Sequence, residues 1–211
     1  MGTIRTATTR PKFSPSKPRG AALWIFAKAP TAGAVKTRLA RDIGAIAATM
    51  WYRRTLARTI ATAKRSGVSV RLAAAPCASM FRRCSPLRSR LHDQPKGDLG
   101  RRMAAVVKQS RGGCVIVGSD TPGLSPDVIR RAQADAARFD LILGPAQDGG
   151  YYLIGLKTPA HAFRLFERVR WSSPHALADT IANAPPHWRI GFLPVLHDVD
   201  CGRDLRLQTT S

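Results

Sequence analysis

Apolar positions along the chain fall into short dense runs, separated by longer stretches in which they recur at helical spacing. Residues 21–27 (AALWIFA) form the first run, too short to span a bilayer and of the right length for a buried strand. A loop with Pro30 and Gly33 follows, and 36–66 reads as helical with a break near Gly44. VSVRLAAA, 68–75, alternates and then turns small and apolar, which predicts a second strand. Residues 76–97 are irregular and rich in Pro, Ser and Arg, with room for one short strand near 88–92. Asp98 is placed to cap the helix LGRRMAAVVKQS, which Gly112 and Gly113 would end. CVIVGSD, 114–120, is the clearest strand, and a helix over about 126–138 follows between Pro122, Pro126 and the strand DLILGP, 140–145. YYLIGL, 151–156, is a further strand entered through Gly149 and Gly150. Helices over 160–168 and 173–183, a strand over 189–195 and a short terminal helix complete the pattern. Strands alternating with helices predict an α/β sandwich with a mainly parallel sheet. Ligands of such sheets bind beyond the carboxyl ends of the strands. That singles out the loop after 27, the turn at 118–122 and the segment 145–150.

Length and composition fit this picture. With 211 residues and 44% hydrophobic content, the chain is expected to hold one folded domain, 21–211. Residues 1–20 carry five basic residues, three prolines and no acid, and read as a disordered basic leader whose composition transit peptides share. The formal charge is +21, from 34 Lys and Arg against 13 Asp and Glu. A surface this basic attracts polyanions. The arginines are scattered over helical positions without interleaved aromatics, however, so adhesion to nucleic acid is expected and a specific nucleic-acid partner is not. Cys77, Cys84, Cys114 and Cys201 have no zinc spacing, and Cys114 lies inside a predicted buried strand. Nothing points to an oxidising compartment, so the expected location is cytoplasmic, with no membrane span. The histidines are scattered, without an HxxxH pair or a Cys-His dyad, and no GxSxG element supports a serine hydrolase.

Four segments carry candidate chemistry. In FAKAPTAGAVKTRLA, 26–40, a strand, a loop and a helix beginning near Lys36 would form an anion cradle, with Lys28, Lys36 and Arg38 adding positive charge. It is neither a GxxxxGK[ST] loop nor a GxGxxG loop. In VIVGSDTPGL, 115–124, Asp120 ends a buried strand at the ligand edge of the sheet. It either holds Mg²⁺ against substrate phosphates or caps the next helix; Asp127, just after Pro126, is better placed to cap. In GPAQDGGYYLIGL, 144–156, Asp148 with Gly149 and Gly150 permits close approach to a ligand and also matches a hairpin turn. Tyr151 and Tyr152 are candidates to line a pocket. In HDVDCGRDL, 197–205, Asp198 and Asp200 share a side if the segment is extended, and Asp204 would open or cap the last helix.

Taken in order, FAKAP..G.VKTRLA, GDLGRRM (97–103), GSDTP.L, GPA.DGGYYLIGL, the WSS at 171–173 and DVD...DL resemble a GT-A-type, glycosyltransferase-like family of unknown function, DUF2064. That family is related to the 2-phospholactate guanylyltransferases, and some members carry the name arsenosugar-biosynthesis glycosyltransferase. The resemblance spans about 22–207. It implies a nucleotide-diphospho-sugar transferase fold: a GT-A, Rossmann-like αβα sandwich with a mainly parallel mixed sheet. It implies a nucleotide site at Lys28, Ala29, Pro30, Gly33, Lys36, Arg38, Gly118 and Ser119. It also implies a Mg²⁺ (or Mn²⁺) site at Asp120 and Asp200. An acceptor side is expected at Gly149, Gly150 and Tyr151, and catalytic roles for Asp120, Lys36, Arg38 and Asp148, with Asp148 either acting as a base toward an acceptor hydroxyl or shaping the loop. The chain departs from the family in having Cys201 where Thr is usual, and Ser173 where Thr follows Trp171-Ser172. Partners would be a nucleotide or nucleotide-sugar donor and a small-molecule acceptor. Glycosyl transfer is the leading reading, nucleotidylyl transfer to a phosphorylated small molecule the alternative, and a non-catalytic nucleotide- or nucleic-acid-binding module the third.

Overall fold

The computed structural model describes residues 21–81, 87, 90–110, 112–160 and 162–208; the leader over 1–20, Cys84 and His161 lie outside them. Seven strands form one sheet: β1 Ala22–Lys28, β2 Val70–Ala75, β3 Leu91–Asp93, β4 Cys114–Gly118, β5 Leu141–Pro145, β6 Tyr151–Leu156 and β7 Ile190–Phe192. Their order across the sheet is β3-β2-β1-β4-β6-β5-β7. All neighbours are parallel except β6, which runs antiparallel to both β4 and β5. Helices α1 Thr37–Ile43, α2 Ala45–Arg65, α3 Leu99–Gln109, α4 Pro126–Asp135, α5 Ala162–Leu165, α6 Ala176–Ala182 and α7 Gly202–Gln208 connect and cover them. The αβα sandwich with a mainly parallel mixed sheet is therefore the fold observed.

The unbroken apolar run of β1 follows from burial on both faces. Leu23, Ile25 and Ala27 pack with Tyr52, Leu56 and Ile60 of α2 and, on the same face, with Ile129 and Ala132 of α4. Trp24 packs on the other face with Met103, Ala104 and Val107 of α3. The Trp24 indole N–H is not left bare there, since it donates to Ser110 Oγ at 3.1 Å.

Local chemistry sets the boundaries. Gly44 separates α1 from α2 at φ +85°, a conformation that favours glycine. Asp98 caps α3 by accepting from the Arg101 N–H at 2.8 Å. That helix ends at Gln109, before the glycines expected to stop it. Asp127 is not the cap of α4: Ser125 is, its hydroxyl accepting from the Val128 N–H, and Asp127 sits in the first turn, where its charge suits the helix dipole. α5 and α6 are briefer than the spacing predicts.

The antiparallel placement of β6 follows from its connection. Only Ala146–Gly150 separate it from β5, too few residues for a parallel crossover. The turn closes with Ala146 N–H to Gly150 O at 3.0 Å and Gly150 N–H to Asp148 Oδ1 at 2.9 Å. Gly149 holds φ +82°, and a Cβ there would run into the Pro174 carbonyl. Gly149→Ala combines backbone strain with a clash against main chain, so a loss of about 2–5 kcal/mol is expected in urea unfolding. A loss below about 1 kcal/mol would show that this turn is not fixed as described.

Candidate active site

β1 has β2 on one side and β4 on the other, so the chain leaves the sheet in two directions there, and a crevice opens beyond their carboxyl ends. The loop after β1 forms one wall. Ala29 is buried and its N–H donates to Ala75 O at 2.6 Å, Ala34 N–H closes on Thr31 O, and Gly33 turns the chain at φ +79°. Lys36 then adopts φ 47°, ψ 49°, the left-handed region that a non-glycine residue rarely occupies. The consequence is visible in its side chain, which is only 8% exposed and turned inward.

There Lys36 Nζ lies 2.7 Å from Asp120 Oδ2 and 2.9 Å from Asp200 Oδ1. Asp120 arrives from the end of β4. Asp200 arrives from the segment after β7, and that segment is firmly placed. Leu196 N–H donates to Pro145 O, and Val199 is buried against Leu39 and Ala48. The Gly202 N–H donates to Asp42 Oδ2 of α1 at 2.7 Å. Asp204 reaches back from α7 to accept from the N–H groups of Asp200 and Cys201, each at 2.9 Å. The Cys201 thiol donates to the same Asp204 oxygen at 3.2 Å, so cysteine supplies a side-chain donor where the family usually has a threonine hydroxyl. Arg38 Nη1 adds a longer contact of 3.4 Å to Asp200 Oδ2 from the exposed side.

Burial by itself would lower the Lys36 pKa; the Asp120 and Asp200 carboxylates outweigh it and hold the ammonium well above its ordinary value. Asp198 stands next to this cluster and accepts from Thr121 Oγ1 at 2.8 Å. Burial pushes its carboxyl up to about 7, the Asp120 charge adds to the rise, and Asp148 contributes more weakly; the Thr121 hydroxyl and Lys36 oppose it. The native state therefore holds this proton more tightly than the unfolded chain. Stability from this group is full below about pH 4, falls as pH rises towards 7, and is lost above that. Asp198→Asn keeps an acceptor for Thr121 without the charge. It is expected to gain up to about 4 kcal/mol over the parent protein at pH 8 and little at pH 4. Urea unfolding at the two pH values checks this, and an equal difference at both contradicts it.

Tyr52 of α2 ties the crevice together. Its hydroxyl accepts from the Lys28 N–H and donates to Lys28 O, both at 3.0 Å, and lies 2.9 Å from Ser119 Oγ. The end of β1 is thereby fixed against the end of β4. The crevice holds a cleft of about 270 Å³, whose lining includes Phe26, Lys28, Lys36, Gln94, Leu99 and Arg102, with Gly118, Ser119 and Asp120 at its floor.

The structure thus brings Lys36, Arg38, Asp120 and Asp200 into one cluster, with Lys28, Gly118 and Ser119 on the same cleft and Ala29, Pro30 and Gly33 in the loop beside it. Asp148, Gly149 and Gly150 sit in the β5–β6 turn, and Asp148 reaches the cluster only through its charge on Asp198. The Tyr151 ring turns into the core, edge-on to Trp171, and its hydroxyl accepts from Thr180. Tyr152 also packs in the core and donates to Pro194 O, so neither tyrosine lines the cleft. Tyr52, Gln94, Arg102 and Thr121 are cleft or cluster residues that spacing does not reveal. Arg102 and Thr121 do carry a signal, their places in the GDLGRRM and GSDTP segments.

A pair of carboxylates already sharing one ammonium at 2.7 and 2.9 Å is suited to share a metal ion. No cluster of three or more metal-ligating side chains occurs among the described residues. No described helix is long and apolar enough to cross a membrane.

Residues 55–173 match the family model described as "Uncharacterized protein conserved in bacteria (DUF2064)", and the chain belongs to that family. Among solved structures, it is similar to one from Desulfovibrio desulfuricans G20 named "putative nucleotide-diphospho-sugar transferase". The two share 27% identity over 89% of this chain and 85% of that one, with a TM-score of 0.83. Rv0371c from Mycobacterium tuberculosis H37Rv, solved as a complex with manganese, shares the fold at 17% identity over 90% of this chain and 99% of that one, with a TM-score of 0.56. So does the 4-diphosphocytidyl-2C-methyl-D-erythritol synthase from Anaerococcus prevotii DSM 20548, at 7% identity over 90% and 96%, with a TM-score of 0.57. No curated protein matches the chain.

Proposed function

We propose that this DUF2064 chain is a metal-dependent transferase that takes a glycosyl group from a nucleotide-diphospho-sugar and passes it to a small-molecule acceptor. The observation that carries this reading is the Lys36–Asp120–Asp200 cluster, of which Lys36 and Asp120 line the cleft. Two carboxylates are the usual protein share of a Mg²⁺ or Mn²⁺ site that is completed by phosphates. Asp120 and Asp200 would hold the metal, which supplies charge neutralisation to a diphosphate. Lys36 and Arg38 provide the fixed positive charge that stabilises a departing nucleoside diphosphate. Lys28, Gly118 and Ser119 line the path between that cluster and the rest of the nucleotide. Asp148, exposed in the β5–β6 turn with Gly149 and Gly150, is the candidate to orient or deprotonate an acceptor hydroxyl. The name of the 27%-identical relative supports the donor class.

Nucleotidylyl transfer is the second reading. It is favoured by one observation: Asp200 comes from a late Val-Asp element, the place from which the resemblance implies that related nucleotidylyltransferases draw their second metal carboxylate. A binding module without catalysis is disfavoured by the site's own charge, because aspartates beside a phosphate repel it unless a metal intervenes. The deciding experiment supplies Mn²⁺ with nucleotide-sugars plus candidate acceptors, and separately with nucleoside triphosphates plus phosphorylated acceptors. Nucleoside diphosphate release supports glycosyl transfer, and pyrophosphate release supports nucleotidylyl transfer. Absence of metal-dependent nucleotide binding would sink both.

A further inference from the structure

The cleft has an end remote in chemistry from the carboxylate cluster, and Gln94 shapes it. Gln94 follows β3, and its main-chain N–H donates to Ala74 O at 2.9 Å, prolonging the β2–β3 pairing. Its side-chain Nε2 donates to Ala73 O at 2.8 Å and to Ala27 O at 3.3 Å. Both acceptors are main-chain carbonyls, which cannot donate. The amide orientation is therefore determined, and Oε1 is the atom left over. No described residue donates to it, and Gln94 lines the cleft. Arg102, half-buried on α3, lines the same cleft. Its Nε is used by Gly97 O at 2.7 Å, while neither terminal nitrogen bonds to a described residue. Phe26 and Leu99, the latter 42% exposed, add apolar surface to the cleft.

Resting on the reading of the site as a nucleotide site, we infer that Gln94 and Arg102 read the base and select a lactam edge, an N–H beside a carbonyl, as in guanine and uracil. Gln94 Oε1 can only accept, so it demands an N–H. The Arg102 guanidinium can only donate, and a carbonyl oxygen with two lone pairs takes its fork better than a ring nitrogen with one. Adenine, and cytosine along its amino edge, offer an amino group beside a ring nitrogen, which satisfies the first demand and meets the second less well. Phe26 and Leu99 give the base its apolar contacts.

The test is calorimetric titration of the intact protein, in Mn²⁺, with GDP, UDP, ADP and CDP. GDP and UDP are expected to bind at least about tenfold tighter than ADP and CDP. 3-Methyl-UDP and 1-methyl-GDP, which lack the N–H, are expected to bind at least about tenfold weaker than their parents. This comparison needs no protein variant. Arg102→Leu, at a partly exposed position, should erase the preference, whereas Gln94→Leu also removes two strand-to-side-chain bonds and serves only as a second check. Equal affinity for all four diphosphates, a preference for ADP or CDP, or tolerance of the methylated bases overturns the inference and leaves the transferase reading standing. Failure of every nucleotide to bind in Mn²⁺ overturns the transferase reading, and the inference with it.

Discussion

Asp120→Asn is expected to reduce turnover by about a thousandfold or more and to remove Mn²⁺-dependent nucleotide binding. The substitution keeps the shape of the side chain and an oxygen acceptor but takes away the charge. Asp120 is the nearer of the two carboxylates around Lys36, at 2.7 Å, and its side chain is 36% exposed, so it opens to the cleft as well as to the lysine. Lys36 would retain Asp200 at 2.9 Å, and the fold should persist. A second readout separates a local effect from unfolding. The Asp120 charge is one cause of the raised Asp198 pKa, so in Asp120→Asn the fall in stability near neutral pH should move to lower pH. Turnover within about tenfold of the parent would remove Asp120 from the metal role.

Much of the fold was legible because its strands are buried on both faces and announce themselves as apolar runs. AALWIFA and CVIVG pack between two helical layers, and such runs need little context. Gly44 and Asp98 acted locally, and both were readable as a helix break and a cap. Edges were less legible. β3 and β7 are three residues each, and their lengths follow from pairing with one neighbour, not from their own composition. The same distinction divides the site. Asp120 ends a recognisable strand, and Asp200 belongs to an acidic run in a chain with few acids. The contact between them is a matter of topology, since 80 residues separate them in sequence. Tyr151 shows the reverse case. Its place after Asp148-Gly149-Gly150 suggests a pocket, yet strand alternation sends its ring into the core. Gln94 and Tyr52 carry no motif at all. Each matters because main-chain carbonyls or N–H groups of β1 lie within hydrogen-bond reach, which only the assembled sheet provides.

Lys36→Met should separate the two jobs of the central ammonium. Methionine is close in length and unbranched, and the left-handed backbone at this position is as costly for one residue as for the other. What disappears is the cation between Asp120 and Asp200, with the Asp198 carboxyl alongside. Removing one partner of a fully buried pair costs about 3–5 kcal/mol. Here the carboxylates are 36% and 40% exposed, and water screens part of that cost, so a loss of about 1–3 kcal/mol is expected without metal. The native pKa of Lys36 lies above the unfolded value of 10.5, so its contribution is complete below that pH and vanishes only in stronger alkali. Lys36's own titration therefore adds no difference between pH 7 and pH 9, but without its charge the Asp198 carboxyl is pushed still higher, so the loss should be larger at pH 9 than at pH 7. Mn²⁺ should reverse it. In the parent protein the ammonium occupies the oxygens that a metal would use, so metal and lysine compete. In the variant they do not, and the rise in Tm with Mn²⁺ should exceed that of the parent. Turnover should nonetheless fall by about a hundredfold or more, because a metal can replace the lysine between the carboxylates but not its donation to the leaving diphosphate. If Lys36→Met gains no more from Mn²⁺ than the parent, the carboxylate pair is not a metal site; if it turns over at the parental rate, the lysine is a structural ion-pair partner and does not act on the leaving group.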